Sequence, residues 1–295
     1  MLKWFRIIRP QSLFASLCPV VVAWMMVVAP PPMGAGWNSD IVTGIIIILC
    51  ALSLQILSNL INDYYDYVRG ADKENRVGFH RPLADGSVTL RQMRNACLIT
   101  LVVSVALGAY LIWVGGWIIL LIGLLSIFFA WLYTATSYSL SYLGIADVFV
   151  LLFYGLIAGW GTAWLLMGEN LLSASNHFML RLLAATAVNG LWSMCVLMTN
   201  NLRDMEDDEA VGKRTFPVRF GKRAGEIMMG IVVALMPIMA YMATGSWVAT
   251  LVLIPGLVVY TMTLRAKGTD YNNCLVAAGL SNVVYTILMA ITLYV

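Results

Sequence analysis

The chain has 295 residues, of which 61% are hydrophobic and only 11% charged, with a formal net charge of +3 and a mean hydropathy of +0.84. Soluble domains carry roughly a quarter of their residues as Asp, Glu, Lys or Arg, so this composition excludes an ordinary soluble domain and points to an integral membrane protein. So small a net charge gives no reason to expect a nucleic-acid partner, because basic residues in membrane proteins chiefly set orientation.

A transmembrane helix needs about 20 largely apolar residues. Windows of that kind fall at 12–30, 41–61, 96–114, 117–135, 146–167, 178–199, 225–244, 247–264 and 275–294. They predict an all-α, polytopic membrane bundle of about nine helices, forming one integral-membrane domain over residues 1–295. The N-terminus has a basic head and an apolar run, but no small-residue cleavage pattern closes that run, so it reads as a retained first helix. The seventh and eighth windows meet at a tight TGSW turn. Cys18, Cys50, Cys97, Cys195 and Cys274 lie scattered in or beside apolar runs without a CxxC pair, the pattern of small buried hydrophobes.

Placing the N-terminus in the cytoplasm puts 17 of the 18 basic residues on that side and leaves Arg181 at the other face. This follows the positive-inside rule and places the C-terminus on the outer face, in what reads as a bacterial plasma membrane. The acids follow the bases: all but Asp40 and Glu169 are cytoplasmic. Acids contribute little to topology, so function is the better reason for gathering them.

Two clusters hold most of them. The first is NDYYDYVRGAD, Asn62 to Asp72. If the second span continues as helix to about residue 68, Asn59, Asn62, Asp63 and Asp66 form one polar stripe at its cytoplasmic end. Gly70 then permits a turn that brings Asp72 back over the stripe. The second cluster is NNLRDMEDDEAVGKRT, Asn200 to Thr215. There Asn200, Asn201, Asp204 and Asp208 recur at helical spacing, with Arg203 and Asp207 beside them and Lys213 past the expected helix end.

Two such stripes facing each other make a strongly negative pocket, and carboxylates crowded in a low dielectric repel one another. A divalent cation removes that cost. The donors are carboxylate and amide oxygens, which suit Mg²⁺ or Ca²⁺ rather than Zn²⁺. Mg²⁺ keeps positions for water and phosphate oxygens. With Arg69, Lys73, Arg81, Arg203 and Lys213 in the same loops, the pair of sites forms a receptor for a diphosphate. At an apolar wall, that diphosphate belongs to a lipid, whose allylic carbon can ionise and meet an electron-rich acceptor.

The residues that carry this reading resemble a known family. IRPQSLFASLCPV, LQILSNLINDYYDYVRGAD, YLGIADVFVLLFYG and NNLRDMEDDEAVGKRTFPVRFG are together similar to the UbiA superfamily of intramembrane aromatic prenyltransferases, and most to its branch acting on 1,4-dihydroxy-2-naphthoate. The resemblance runs nearly end to end. It implies a nine-helix bundle, polyprenyl diphosphate as donor, two Mg²⁺ ions, and transfer with loss of CO₂ to give demethylmenaquinone. It also implies Asn62 and Asp66 on one Mg²⁺ with Asp63 and Asp72 in support, and Asp204 and Asp208 on the other. Arg9, Asn59, Lys73, Arg81, Asn201, Arg203 and Lys213 would contact substrates. Asp72 stands two positions beyond the place most of the superfamily uses, Phe79 replaces an expected proline, and Asp147 replaces the usual glutamate at the opening of the fifth span.

Asp147 is either an ordinary interfacial cap or a base for the acceptor's proton. His80 has no positional partner and reads as polar surface. Tyr133, Tyr138 and Tyr142 are interfacial aromatics or stabilisers of a cation. Two other functions fit parts of the pattern: the same chemistry on another acceptor such as 4-hydroxybenzoate, and a cation-coupled transporter, which expects its acids near the bilayer midplane.

Overall fold

The computed structural model describes Trp4 and residues 7–70, 81–133 and 140–295. Among them there is no strand, and eight helices are long and apolar enough to cross a membrane. In chain order the helices are α1 (Pro10–Val28), α2 (Ile41–Val68), α3 (Leu90–Leu132), α4 (Ala146–Leu171), α5 (Asn176–Arg203), the short α6 (Met205–Ala210) and α7 (Phe216–Phe220), α8 (Lys222–Thr244), α9 (Trp247–Arg265) and α10 (Asp270–Tyr294).

Helix α3 has 43 residues, about 65 Å at 1.5 Å per residue, twice the thickness of the hydrocarbon core. It therefore accounts for two of the nine apolar windows. Gly116 breaks it at φ 70, ψ −158, a conformation that a Cβ disfavours. Both ends of α3 lie at the acid-rich end of the bundle. Arg81, shortly before it, ion-pairs with Asp63, and Tyr133, just after it, stands in electrostatic reach of Asp66, Asp147 and Asp208. The chain thus turns back at Gly116. The indole N–H of Trp164 on α4 donates to the Gly115 carbonyl at 2.8 Å, occupying a backbone acceptor that hydrocarbon would otherwise leave bare.

Helix α5 forms the centre: 83% of its apolar window is buried, against 11% for α3, which faces outward. Small residues let α4 and α5 meet closely. A Cβ on Gly190 would lie 2.8 Å from the Leu151 carbonyl oxygen, and one on Gly159 would lie 2.4 Å from Thr186. The close approach of Gly155 and Gly190 falls in a π-helical turn of α4, Leu152–Ile157, which re-aims the side chains that follow. Polar links tie α5 to α10: Asn189 Nδ2 donates to Asn282 Oδ1 at 2.8 Å, and the Tyr285 hydroxyl donates to the Ala185 carbonyl at 2.9 Å. Helix α1 packs among α2, α4, α5 and α10.

The far end explains its own few charges. Arg181 is buried, and its guanidinium donates to the carbonyls of Ala243 at 2.5 Å and Thr244 at 3.1 Å. It therefore caps the C-terminus of α8, where a cation is favoured. Asp40 caps α2: the Thr43 hydroxyl and backbone N–H both donate to it and hold its carboxyl below the usual carboxylate range. The Tyr294 hydroxyl donates to the Met25 carbonyl at 3.1 Å, so the chain ends at the opposite end of α1 from Arg9.

Candidate active site

Helix α2 does run on to Val68, and Asn59, Asp63 and Asp66 are buried on it. Asn62 lies between them; its Oδ1 is buried and has no hydrogen-bond partner among the described residues. The helix ends at Gly70, φ 70, and the Arg69 guanidinium lies 5.3 Å above the Tyr142 ring. Tyr142 is thus engaged by a protein cation.

The second stripe is bent. Helix α5 ends at Arg203 and Asp204 adopts φ −94, ψ 9 before α6 begins. The hydrogen bonds still carry through, with Asp204 N–H to the Asn200 carbonyl at 3.0 Å and Asp208 N–H to the Asp204 carbonyl at 2.8 Å. Asn201, Asp204 and Asp208 are therefore all buried despite the break. Gly212, φ 78, then reverses the chain, and the Lys213 N–H donates to the Asp208 carbonyl at 2.8 Å.

That reversal returns the Lys213 ammonium to the carboxylates. Nζ lies 3.0 Å from Asp66 Oδ1 and 3.6 Å from Asp208 Oδ1. Arg9 and Arg81 both ion-pair with Asp63, and Arg81 reaches within 4.0 Å of Asp66. Arg203 forks onto Asp204 at 2.7 and 2.8 Å, and also donates to Asn200 Oδ1 at 2.7 Å and Asn272 Oδ1 at 2.9 Å. The pocket is therefore an array of compensated charges rather than a bare negative hole. Each of the four buried carboxylates of the two acid motifs has a basic partner, which offsets the large cost of removing it from water.

Arg9 is held unusually. It is the one non-glycine residue with positive φ among the described residues, at φ 53, ψ 72, a conformation costing on the order of 1–2 kcal/mol. Ser12 fixes it, donating to the Arg9 carbonyl through N–H at 2.8 Å and Oγ at 2.9 Å. Asn59 Nδ2 in turn donates to the Ile8 carbonyl and Ser12 Oγ, both at 2.9 Å. The Asn59 amide N–H groups thus hold the segment that presents Arg9.

Behind the charges lies an apolar cavity of about 400 Å³. Its charged mouth includes Arg9, Asn62, Arg81 and Arg203, and its walls come from α1, α2, α3, α4 and α5. Phe149 and Phe153 pack tilted against Phe129 along one wall, with ring centroids 4.7 and 5.1 Å from it. Tyr133 and Tyr154 also line it; the Tyr154 hydroxyl hydrogen-bonds with Ser58 and Gln55. Asp147 is buried in the first turn of α4, its Oδ1 without a hydrogen-bond partner among the described residues.

Asp72, Lys73, His80 and Tyr138 lie outside the described residues. Asn272 was not foreseen: it sits at the start of α10, far in sequence from either cluster, and only the repeat of polar residues in DYNN at a helix start marked it.

The donor chemistry fits magnesium. Carboxylate and amide oxygens dominate, and the orphaned Asn62 Oδ1 is a neutral oxygen acceptor in a buried position. Among the described residues, no group of three or more His, Cys, Asp or Glu side chains forms a metal cage. Mg²⁺, which takes one or two carboxylates per ion, needs none.

The chain and its fold are similar to known proteins. The chain is 34% identical over 229 residues to the 1,4-dihydroxy-2-naphthoate octaprenyltransferase of Escherichia coli (strain K12), covering 74% of this chain and 68% of that protein. It is 29% identical over 304 residues to the enzyme of the same name from Mycobacterium leprae (strain TN), covering 98% and 95%. The fold is similar to that of a UbiA homolog from Archaeoglobus fulgidus bound to GPP and Mg²⁺, with a TM-score of 0.67 at 18% identity over 99% of this chain and 100% of that one. An apo UbiA homolog from Aeropyrum pernix K1 gives 0.67 at 17% identity over 94% and 96%. The model of the UbiA prenyltransferase family matches residues 16–292, and the chain belongs to that family.

Proposed function

We propose that this single-domain protein transfers a polyprenyl group from its diphosphate to 1,4-dihydroxy-2-naphthoate, a step of menaquinone biosynthesis, at the cytoplasmic face of a bacterial plasma membrane. The observation that carries the reading is the junction of both acid motifs through Lys213 at the mouth of an apolar cavity. The names of the relatives supply the acceptor.

In this reading Asn62, Asp63 and Asp66 hold one Mg²⁺, and Asp204 and Asp208 hold a second. Bound magnesium would supply positive charge to the bridging oxygen of the donor as the allylic C–O bond breaks. Arg9 and Arg81, half-buried at the cavity mouth, and Lys213, buried beside Asp66, are cations placed to meet diphosphate oxygens. Arg203 positions Asp204 through its fork and through Asn200 and Asn272. The cavity holds the tail and excludes water from the allylic cation.

The ring carbon bearing the carboxylate gives an electron pair to the allylic carbon, forming the new C–C bond. The carboxylate then leaves as CO₂, returning its bonding pair to the ring, so the immediate product is at the hydroquinone level and a later oxidation gives the quinone. Asp147, buried with an open oxygen beside Tyr133, is placed to take the acceptor's hydroxyl proton as the C–C bond forms and to return it to the naphtholate oxygen once CO₂ has left.

Product analysis by mass spectrometry, with membranes, Mg²⁺, a polyprenyl diphosphate and a panel of acceptors, tests the reading. The expected product is a prenylated naphthoquinol, lighter by the mass of CO₂ than the corresponding prenylated naphthoate. Transfer to 4-hydroxybenzoate in preference, or cation flux without pyrophosphate release, would overturn it.

A further inference from the structure

The cavity changes character along its length. Gly108 and Gly123 on α3 and Gly161 on α4 line it within regular helix. A glycine inside a helix costs roughly 0.5–1 kcal/mol relative to alanine, and two ordinary reasons for accepting that cost are missing. None of the three has a positive φ. None packs a neighbour closely: a Cβ on Gly108 or Gly123 would meet nothing within 4 Å, and one on Gly161 only Ile122 Cδ1 at 3.6 Å.

The three lie at one depth. Each is about one turn nearer the mouth than a branched apolar residue on the same limb: Leu111 after Gly108, Ile119 before Gly123, and Leu165 after Gly161. Together with Val20 and Ile47, those three buried side chains form the far lining of the cavity. Ile119 and Leu165 are backed by Gly115, where a Cβ would lie 2.3 Å from Ile119 Cγ1 and 2.9 Å from Leu165 Cδ2. The turn of α3 therefore closes the cavity.

Helical rise gives the depths. From Tyr133 to Gly123 is about 15 Å and to Ile119 about 21 Å; from Asn62 to Ile47 is about 22 Å. An extended carbon chain advances about 1.3 Å per bond. By that measure a geranyl tail ends about 9 Å in, short of the glycines; a farnesyl tail, at about 14 Å, meets them; and a geranylgeranyl tail, at about 20 Å, reaches the ring.

We propose that the glycine belt and the aliphatic ring beneath it measure the donor's tail: the belt receives the third isoprene unit, the ring stops the fourth, and longer tails turn aside at the belt. This rests on the prenyl-transfer reading for its ligand.

The test compares wild type with Gly123→Leu and Gly161→Leu, using geranyl, farnesyl and geranylgeranyl diphosphates in Mg²⁺. Transfer to dihydroxynaphthoate and the donor-induced rise in unfolding temperature are both measured. Filling the belt is expected to lower kcat/KM for farnesyl and geranylgeranyl about tenfold or more, the effect of overpacking by one side chain, and to leave geranyl within about twofold. An equal change for all three donors, or none, overturns the proposal. If wild type transfers nothing but its thermal shift follows tail length and the variants flatten that dependence, the function reading fails and the belt stands. Gly123→Ala keeps the test decisive should leucine prevent folding, because it must give a smaller loss in the same order of donors.

Discussion

Lys213 Nζ lies 3.0 Å from Asp66 Oδ1, joining residues 147 positions apart. The same ammonium lies 3.6 Å from Asp208, so one cation sits between the two acid motifs. Lys213→Met is expected to leave both carboxylates buried without that partner, at a cost of about 3 kcal/mol. Added Mg²⁺ should recover more stability in the variant than in wild type, by binding the folded state. Thermal unfolding in detergent, with and without Mg²⁺, checks this; an identical response to the metal in both proteins would count against the arrangement.

Asp66→Asn and Asp204→Asn keep the size of each side chain and remove its charge. Both are expected to lower transfer by at least about a thousandfold, since electrostatic stabilisation of the leaving group depends on them. Membrane insertion should be retained. Turnover near wild type in Mg²⁺ for either variant would refute the paired-site reading.

Arg203→Lys tests geometry rather than charge. A lysine cannot reproduce the fork onto Asp204 while also reaching Asn200 and Asn272. The variant is expected to lose about tenfold or more in kcat/KM. Asn272→Ala removes one hydrogen bond of that set and should cost less, roughly fivefold. Steady-state kinetics on the pair decides, and a lysine variant with full activity would show that the fork is dispensable.

Asp147→Asn separates a proton acceptor from a structural first-turn residue. Loss of a general base is expected to reduce turnover roughly a hundredfold while donor affinity is unchanged. An ordinary helix-end role predicts lower stability with nearly unaltered turnover. Single-turnover measurements at several pH values distinguish them.

Arg181→Met should act only on stability. Its guanidinium is bonded to carbonyls at the end of α8, at the opposite end from the carboxylates. The variant is expected to unfold several degrees lower through loss of buried charged hydrogen bonds, with kcat per folded molecule unchanged. A lowered kcat in correctly folded protein would contradict this.

Much of the architecture was readable because hydrocarbon imposes simple rules. A span must be long, apolar and helical, so the windows gave the spanning helices; the window of α2 stopped at 61, and its continuation to Val68 had to be supposed from the spacing of the polar residues beyond it. The stripe of Asn59, Asp63 and Asp66 followed from helical spacing alone. The break at Asp204 was not visible, because nothing local distinguishes a bent continuation from a straight one when its hydrogen bonds persist.

What sequence by itself determined, then, is the membrane bundle, the polarity of its ends and the identity of two acid-rich helix termini, since hydropathy and periodicity are local properties. The tertiary structure decided how those termini meet. Lys213 stands between Asp66 and Asp208, Asn272 of α10 supports Arg203, and Gly116 turns α3 back so that both of its limbs line the cavity. Each joins segments distant along the chain, and only packing the helices together brings them within bonding distance.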